Sequence, residues 1–441
     1  MQKYSLPMGR GFEEVFLPEE RVIYDIHGNV ADVCEDVAAA ALDAIRNPIG
    51  TAPLRDIVKA GEKVAIVISD ITRLCGTADF LPVIVEELND VGVNDDDITI
   101  VVATGTHRGH TPEENIIVCG EDIVRRIKIV QHDSRNKAEL ISLGTTSLGN
   151  EIAVNKYVAE ADRVILTGGV TLHPFAGFGG GRKAVLPGIS AYDSIMYNHA
   201  MAMSPVEGGG CNKACDASIL EGNPIHKDMV EACQLVNPDF LLNTVFTPDG
   251  EVSKIVAGHW YKAWELGCQH LLAMAGVEIE QLADFVIASA GGFPKDMNLY
   301  QATKSHMNAQ FAVKKGGIMI LTLDCPDIKE PAIFTDCFSR NDLEQFEKDI
   351  RANFTIPAFV AFKSRCIISD VTAYLVTRPE NFDFVRRTGH IPCKSLAEAW
   401  ELAQEKLADQ GRADYTITIM GHASATLPAC HHQALLLLFV K

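Results

Sequence analysis

The most chemically informative stretch of this chain is a glycine-rich segment between two histidines. It runs from His173 to Pro187, contains Gly177-Phe-Gly-Gly-Gly-Arg-Lys183, and is followed by a second histidine, His199. Glycines let a backbone come close to a ligand and present N–H groups to an anion. A lysine beside them pairs with a phosphate or, when desolvated, acts as a nucleophile. The stretch therefore predicts a cofactor or nucleotide site with acid–base groups built in.

Two common phosphate-binding motifs do not fit this segment. A P-loop requires Gly-x-x-x-x-Gly-Lys followed by Ser or Thr, whereas Arg182 precedes the lysine here and Ala184 follows it. The dinucleotide fingerprint Gly-x-Gly-x-x-Gly also fails, because Arg182 stands at its last position. The plain alternative is a merely flexible loop. The position of the segment, between an apolar strand and a histidine-bearing stretch, favours a binding site.

Three histidines stand in or near segments that follow predicted strands. His107 follows Thr-Gly-Thr, His173 follows Gly-Gly-Val-Thr-Leu, and His199 lies just beyond the glycine-rich segment. A single histidine is more often structural than catalytic, but three around one cleft favour chemistry. Two histidines can act as opposed acid and base near neutral pH, and a third can bind a metal.

Length and composition exclude several classes of protein. A chain of 441 residues, 47% of them hydrophobic, predicts two or three domains with a large core. A net charge of −19 without a basic stripe argues against nucleic-acid binding. We see no apolar run of about 18 residues and no signal-peptide core. We therefore expect a cytoplasmic protein without a membrane span, whose twelve cysteines are reduced thiols.

Buried strands alternate with helical stretches along the first two thirds of the chain, which predicts a parallel, doubly wound sheet. A second unit begins near residue 270, and its first predicted helix carries Tyr300, Gln301 and Lys304. The predicted fold is α/β with two domains, residues 1–270 and 271–441, each a parallel-rich sheet flanked by helices. We expect the apolar tail 434–440 to pack as a terminal strand or helix. The strands are predicted at 63–68, 97–103, 126–130, 163–169, 283–290 and 316–321, and a helix at 79–91.

The unusual motifs of the first domain each follow a strand. Asp70-Ile-Thr-Arg73, Thr104-Gly-Thr-His107 and the segment 169–183 all occupy this position. In open α/β sheets, ligands bind outside the carboxyl ends of the strands. Three motifs far apart in sequence are therefore expected to converge on one crevice.

Together these motifs resemble the nickel-pincer lactate racemase family. The resemblance runs from about residue 60 to about residue 310 and keeps the order of the motifs. It implies two α/β domains with the active site in the cleft between them. The motifs that carry it are Ser69-Asp-Ile-Thr-Arg73, Thr104-Gly-Thr-His-Arg108, His173-Pro-Phe-Ala-Gly177, Gly180-Gly-Arg-Lys183, Asn198-His199 and Tyr300-Gln-Ala-Thr-Lys304.

The family's cofactor is a pyridinium-3,5-bisthiocarboxylic acid mononucleotide that grips nickel through sulfur, carbon and sulfur. The resemblance implies that Lys183 is joined to this cofactor and so to the metal site, and that His199 is the remaining nickel ligand. It also implies cofactor-synthesis proteins as partners. Sulfur, carbon and imidazole donors make a tetragonal site, which suits Ni(II). Further cofactor-binding residues implied by the motifs are Asp70, Thr72, Gly180, Gly181 and Arg182.

The implied activity is racemisation or epimerisation of a 2-hydroxy acid, with lactate as the default substrate. His107 and His173 match the acid–base pair of the family. Arg73 and Lys304 resemble residues that hold the substrate carboxylate. Tyr300 and Gln301 lie beside Lys304 on the same predicted helix. Hydride would leave the α-carbon for the cofactor and return on the other face of a 2-oxo acid.

Two other functions stay open from the residues themselves. One is a zinc-dependent hydrolase or lyase that uses the same histidines as metal ligands. The other is a non-catalytic relative that binds a nucleotide or hydroxy acid. The segment Cys211 to Cys215, near His226 and Cys233, departs from the family pattern and fits no zinc module closely. We interpret it as an insertion with incidental thiols.

Overall fold

The computed structural model describes residues 1–340, 342–409 and 411–430, so the predicted role of the tail 434–440 lies outside the described residues. The chain forms two compact units. The N-terminal unit comprises Ala31–Ala202 and Ala214–Leu272. The C-terminal unit comprises Met1–Val30, Met203–Lys213 and Ala273–Lys441. Each unit is built from more than one stretch of chain, whereas the predicted division has a single boundary at residue 270.

The N-terminal unit contains a six-stranded sheet. Five of its strands are parallel, and the edge strand Val252–Gly258 runs antiparallel to its neighbour. The run Val64-Ala-Ile-Val-Ile68 is buried throughout, as expected for a parallel strand covered on both faces. Across the sheet the strands lie in the order Val252–Gly258, Phe240–Phe246, Arg163–Val170, Val64–Ser69, Ile98–Ala103 and Lys128–Gln131.

Helices and two small antiparallel pairs surround this sheet. In the helix Thr77–Asp90, Phe80, Leu81, Ile84 and Leu88 are buried at helical spacing, which explains why this segment is helical and packs against the sheet. The two pairs join Leu140–Thr145 to Glu151–Asn155 and Leu172–His173 to Gly177–Phe178. The remaining helices are Val37–Arg46, Leu54–Ile57, Pro112–Cys119, Glu121–Arg126, Lys156–Ala159, Tyr192–Ala200, Pro224–Val236 and Trp260–Ala275, the last of which contains the unit boundary.

The C-terminal unit contains a second six-stranded sheet, in which all strands are parallel. The hairpin Gln2–Met8 and Gly11–Leu17 contributes Leu6, Val15 and Leu17 to the same core as this sheet. Gly276–Ile279 pairs in parallel with Leu427–Cys430. The sheet order is Ile391–Cys393, Thr372–Val376, Val313–Thr322, Ala283–Ser289, Ile417–Met420 and Val22–Ile26, and the helices are Leu299–Ala309, Ala332–Thr335, Leu343–Ala352, Ile356–Ser369, Phe382–Thr388 and Leu396–Asp409.

The predicted α/β class with parallel-rich sheets and flanking helices is confirmed. All six strands predicted from apolar runs exist, with bounds that differ by at most three residues. Within the described parts of the chain, we find no helix long and apolar enough to cross a membrane.

Candidate active site

Three motif-bearing strands lie side by side in the N-terminal sheet. Arg163–Val170, Val64–Ser69 and Ile98–Ala103 are adjacent and parallel. Their carboxyl ends therefore meet at one edge, and the chain changes direction across the sheet between the first two of them, where α/β proteins bind ligands. A hydrogen bond from Gly105 N–H to the Gly188 carbonyl, 2.9 Å long, joins two of the loops at this edge.

The turn after Val64–Ser69 holds a buried carboxylate. Asp70 is 3% exposed and accepts hydrogen bonds from the Thr72 amide (3.0 Å) and hydroxyl (2.6 Å). Its Oδ2 lies 2.6 Å from Nδ1 of His107. Burial alone would raise the pKa of Asp70, but the hydrogen bonds from His107 and Thr72 outweigh it and hold that pKa below its ordinary value. Asp70 and Thr72, predicted to bind the cofactor, thus also orient His107.

His110, which is not among the predicted site residues, holds this turn in place by a hydrogen bond. His110 accepts a 2.7 Å hydrogen bond from the Ile71 amide through Nε2. Its Nδ1 lies 3.1 Å from Oδ1 of Asn115, which fixes the ring. His107 and His110 belong to one loop, and each contacts the neighbouring turn that carries Arg73. Arg73 itself is exposed, and its guanidinium donates to the Thr72 carbonyl at 3.0 Å.

The glycine-rich loop is held tightly by side chains from distant parts of the chain. The Gly181 amide donates to Oδ1 of Asn243 at 2.8 Å, and Nε1 of Trp264 donates to the Gly179 carbonyl at 2.8 Å. The Gly179 amide donates to the Thr171 carbonyl at 2.7 Å. These amides are therefore bonded within the protein. Gly179 and Gly181 thus serve close packing, and the predicted cofactor-binding role of Gly180 and Gly181 stays a prediction.

Replacing Gly181 tests this packing. Its φ is +55°, and a Cβ would lie 2.5 Å from Cγ of Trp264, too close for any side chain. Gly222 also has a positive φ, +71°, but a Cβ there meets no atom within 4 Å. We expect Gly181→Ala to lower the free energy of unfolding by about 1–3 kcal/mol more than Gly222→Ala, as overpacking does. Chemical denaturation measures both, and equal losses would contradict the packing.

Arg182 is fully buried beneath this loop. Its guanidinium donates to the carbonyls of Phe178 (2.9 Å) and Ala176 (2.7 Å) and to Nδ1 of His226 (3.2 Å). It also stacks over the ring of Trp264, 4.0 Å from the centroid. Burial lowers the pKa of Arg182 to about 10. The prediction that Arg182 binds the cofactor stays a prediction, since its donors meet the protein's own backbone and a histidine.

Lys183, His173, His199 and Arg73 lie close enough for their charges to act on one another. Burial, followed by the charges of Arg182 and Arg73, lowers the pKa of Lys183 well below its ordinary value. Burial and the charges of Lys183 and His199 do the same for the pKa of His173. Burial and Lys183 lower the pKa of His199 to about 3. The site therefore favours a neutral amine and neutral imidazoles.

The hydrogen bonds assign a different tautomer to each proposed catalytic histidine. Nδ1 of His173 accepts from the Ala176 amide at 3.1 Å, so neutral His173 carries its proton on Nε2. Nδ1 of His107 faces the ionised Asp70 and therefore carries a proton, so that in the neutral ring Nε2 is the acceptor. One ring thus offers a donor and the other an acceptor.

His199, the predicted metal ligand, is buried and has one of its ring nitrogens hydrogen-bonded. It is 3% exposed and lies in the helix Tyr192–Ala200. Its Nδ1 hydrogen bonds to the Ile195 carbonyl at 3.0 Å, which leaves Nε2 available. Phe175 packs edge-on between two rings, with centroids 4.5 Å from His173 and 5.4 Å from His199.

The other predicted substrate-binding residues lie in the C-terminal unit. The helix Leu299–Ala309 begins at Asn298, whose side chain caps it by accepting from the Gln301 amide at 2.9 Å. Gln301 and Lys304 are exposed, and Tyr300 is half-buried with its ring against Phe334. The three residues occupy one helix as predicted, and their roles stay predictions.

Within the described residues, the structure shows no group of three or more His, Cys, Asp or Glu side chains able to hold a metal ion. A zinc site built from protein ligands alone, as the alternative hydrolase requires, therefore has no support there. His226 and Cys233 are among the described residues that form no such group. His226 instead accepts from Arg182 and stacks on Trp264, with centroids 5.7 Å apart.

Comparisons with known proteins cover almost the whole chain. The lactate racemase N-terminal domain matches residues 8–210, and the lactate racemase C-terminal domain matches residues 279–424. The lactate racemase of Thermoanaerobacterium thermosaccharolyticum is 32% identical over 414 residues, which cover 92% of this chain and 95% of that protein. The chain belongs to the lactate racemase family. Racemases are isomerases, so the predicted enzyme class is confirmed.

Further relatives agree with this membership. The lactate racemase of Lactiplantibacillus plantarum is 36% identical over 286 residues, 64% of this chain and 65% of that protein. The lactate racemase apoprotein structure from T. thermosaccharolyticum superposes with a TM-score of 0.86 at 30% identity, covering 97% of this chain and all of that one. A Thermotoga maritima protein shares the fold alone, with a TM-score of 0.60 at 17% identity over 90% of this chain and 99% of that one.

Proposed function

We propose that this lactate racemase family member inverts the α-carbon of lactate or a closely similar 2-hydroxy acid, with a nickel-pincer nucleotide attached to Lys183. The observation that carries the proposal is that Lys183 and His199 lie close enough for the charge of Lys183 to lower the pKa of His199. The first is a lysine held towards its neutral form, and the second is a buried imidazole with one nitrogen already bonded. Family membership supports the substrate class.

The residues fit the proposed cofactor. A neutral Lys183 amine could condense with a thiocarboxyl group to form a thioamide with loss of water, which a protonated amine cannot do. Only His199 would need to supply a protein ligand, because the pincer supplies three donors, and this agrees with the lack of a larger ligand cluster among the described residues. When bound, the nickel-pincer group supplies a reversible hydride acceptor next to the α-carbon.

The chain's own residues would handle the proton and the carboxylate. We propose that Nε2 of His107 takes the hydroxyl proton, while ionised Asp70 holds the ring and stabilises the imidazolium. When the same substrate oxygen faces His173 instead of His107, Nε2 of His173 would donate a proton to it. The pair would exchange roles for the opposite enantiomer, since a racemase runs in both directions.

Arg73 and Lys304 are proposed to hold the substrate carboxylate. A protein with a net charge of −19 repels a small anion unless local cations offset the field. Arginine can bind a carboxylate through two parallel hydrogen bonds, whereas lysine acts as a point charge. Tyr300 and Gln301 would line the same substrate.

Arg73→Ala and Lys304→Ala should each lower kcat/KM by about 10- to 150-fold, because a charge-assisted hydrogen bond contributes about 1.5–3 kcal/mol. Steady-state kinetics on the best hydroxy acid measure the loss. Arg125, an exposed arginine paired with Asp122 at the protein surface, gives the control variant Arg125→Ala. Unchanged kcat/KM in both site variants would mean that the carboxylate is bound elsewhere.

The proposed activity is tested with protein made in a host that synthesises the cofactor. Each enantiomer of lactate and of a panel of larger 2-hydroxy acids is incubated with the protein, and the opposite enantiomer is measured by chiral chromatography. We expect conversion from both sides towards a racemic mixture for lactate. Protein that carries nickel and adduct yet converts none of the panel would contradict the proposal.

Cytoplasmic location and dependence on cofactor-synthesis proteins form part of the same proposal. No disulfide joins the described cysteines from position 34 to position 393, which suits a reducing compartment. Because the proposed cofactor must be supplied by synthesis proteins, protein made in a host without that pathway should have the unmodified mass and no racemase activity.

A further inference from the structure

A fully buried carboxylate lies in the N-terminal unit, on the helix Pro224–Val236. Asp228 is 0% exposed and accepts three hydrogen bonds, from Oγ1 of Thr146 (2.6 Å), Nδ2 of Asn150 (2.7 Å) and Nδ2 of Asn198 (2.9 Å). All three donors are uncharged. A carboxyl group is costly to bury even when it is hydrogen-bonded, and a well-packed apolar side chain would serve stability as well. This arrangement therefore points to a role in positioning.

The carboxylate reaches two points on the helix that carries His199. It binds Asn198 directly, and it binds Asn150, whose Nδ2 also donates to the Ser194 carbonyl at 3.0 Å. Ser194 and Asn198 are four residues apart in the helix Tyr192–Ala200 and so share one face. Two anchors one turn apart fix both the rotation of this helix about its axis and its position along it.

The orientation of the Asn198 amide is also determined. Its Nδ2 donates to Oδ2 of Asp228 at 2.9 Å and to the Ile225 carbonyl at 3.1 Å, and a carbonyl oxygen can only accept. A flipped amide would place an oxygen against these two oxygens. In the observed orientation, Oδ1 is buried without a hydrogen-bond partner. The observed orientation thus keeps the hydrogen bond from Asn198 to Asp228 and leaves Oδ1 of Asn198 without one. A network that served only to stabilise the fold would leave no such buried atom.

His199 directly follows Asn198, and its Nδ1 is bonded to Ile195 within the same helix. Rotating the helix would therefore move Nε2, the nitrogen that remains for a metal. Metal sites require ligand distances within about 0.2 Å of the preferred value. We propose that Asp228 is a positioning residue that sets the helix Tyr192–Ala200, through Asn198 and Asn150, so that His199 retains nickel. This inference rests on the proposed nickel role of His199.

The experiment compares nickel release from holoprotein made in a host that synthesises the cofactor. Asp228→Asn keeps the size of the side chain but places an amide against the donors, and Asn198→Ala removes the direct anchor. Glu87→Gln is the matched control, since Glu87 is a buried carboxylate of the same unit that binds Arg46 and Arg55. Nickel per chain is followed during EDTA challenge, together with the absorption spectrum of the bound cofactor and the melting temperature.

We expect Asp228→Asn and Asn198→Ala to release nickel about 10- to 100-fold faster than wild type, as loss of outer-shell partners does, with an altered absorption spectrum. Glu87→Gln should lose stability but keep the wild-type release rate and spectrum. Wild-type release rates in both site variants, or equally fast release from Glu87→Gln, would overturn the inference alone. Wild-type protein without nickel would overturn the proposed function and this inference with it.

Discussion

Lys183→Ala should abolish covalent loading of the cofactor, and with it all racemase activity. The reason is the neutral amine: burial and the guanidinium groups of Arg182 and Arg73 lower the pKa of Lys183 well below its ordinary value, and alanine has no nucleophile to replace it. Intact-mass spectrometry of protein from a cofactor-producing host should show one adduct per wild-type chain and the bare mass for the variant.

The control for this prediction is Lys59→Ala, because Lys59 is an exposed lysine of the same unit. It should carry the adduct at the wild-type level. An adduct that persists in Lys183→Ala would show that another side chain holds the cofactor. Peptide mapping of that adduct would then identify the residue and contradict the assignment.

His107→Ala and His173→Ala should each lower the racemisation rate by about 10²- to 10⁴-fold, the usual contribution of a positioned acid or base. The loss in kcat/KM should be equal in the two directions, because both enantiomers have the same free energy and the reaction must pass both histidines. The rates from each enantiomer measure this. Asp70→Asn should also lower the rate, because a neutral amide no longer holds the proton of His107 on Nδ1.

His27→Ala serves as the control, since His27 is an exposed histidine that pairs with Asp25 in the C-terminal unit. It should racemise at the wild-type rate. Either site variant working at that rate would remove its histidine from the proposed proton transfer.

The fold of the first two thirds of the chain could be predicted because its central strands are continuous apolar runs. Val64–Ser69, Ile98–Ala103 and Arg163–Val170 are buried on both faces, so their sequences contain the signal. The strands Thr372–Val376 and Ile417–Met420 are absent from the sequence prediction. They are five and four residues long, and an apolar run of that length does not distinguish a strand from a helix.

The convergence of the site could be predicted because parallel strands present their carboxyl ends at one edge. The supports of the site could not. Asn243, Trp264 and Asp228 come from segments with no unusual pattern, and only the folded chain brings them to the glycine loop and to the helix of His199. Nor could a sequence show that Gly181 is needed for contact with Trp264, since anion binding explains a glycine equally well.

The origin of the α-hydrogen in the product tests the central claim most directly. Holoprotein is incubated with one enantiomer of lactate in D₂O, and the opposite enantiomer is analysed by proton NMR. His107 and His173 are proposed to transfer only the hydroxyl proton, so the product should keep the protium at its α-carbon. Incorporation of solvent deuterium at that carbon would mean that a side chain removes the α-hydrogen as a proton, and it would contradict the account.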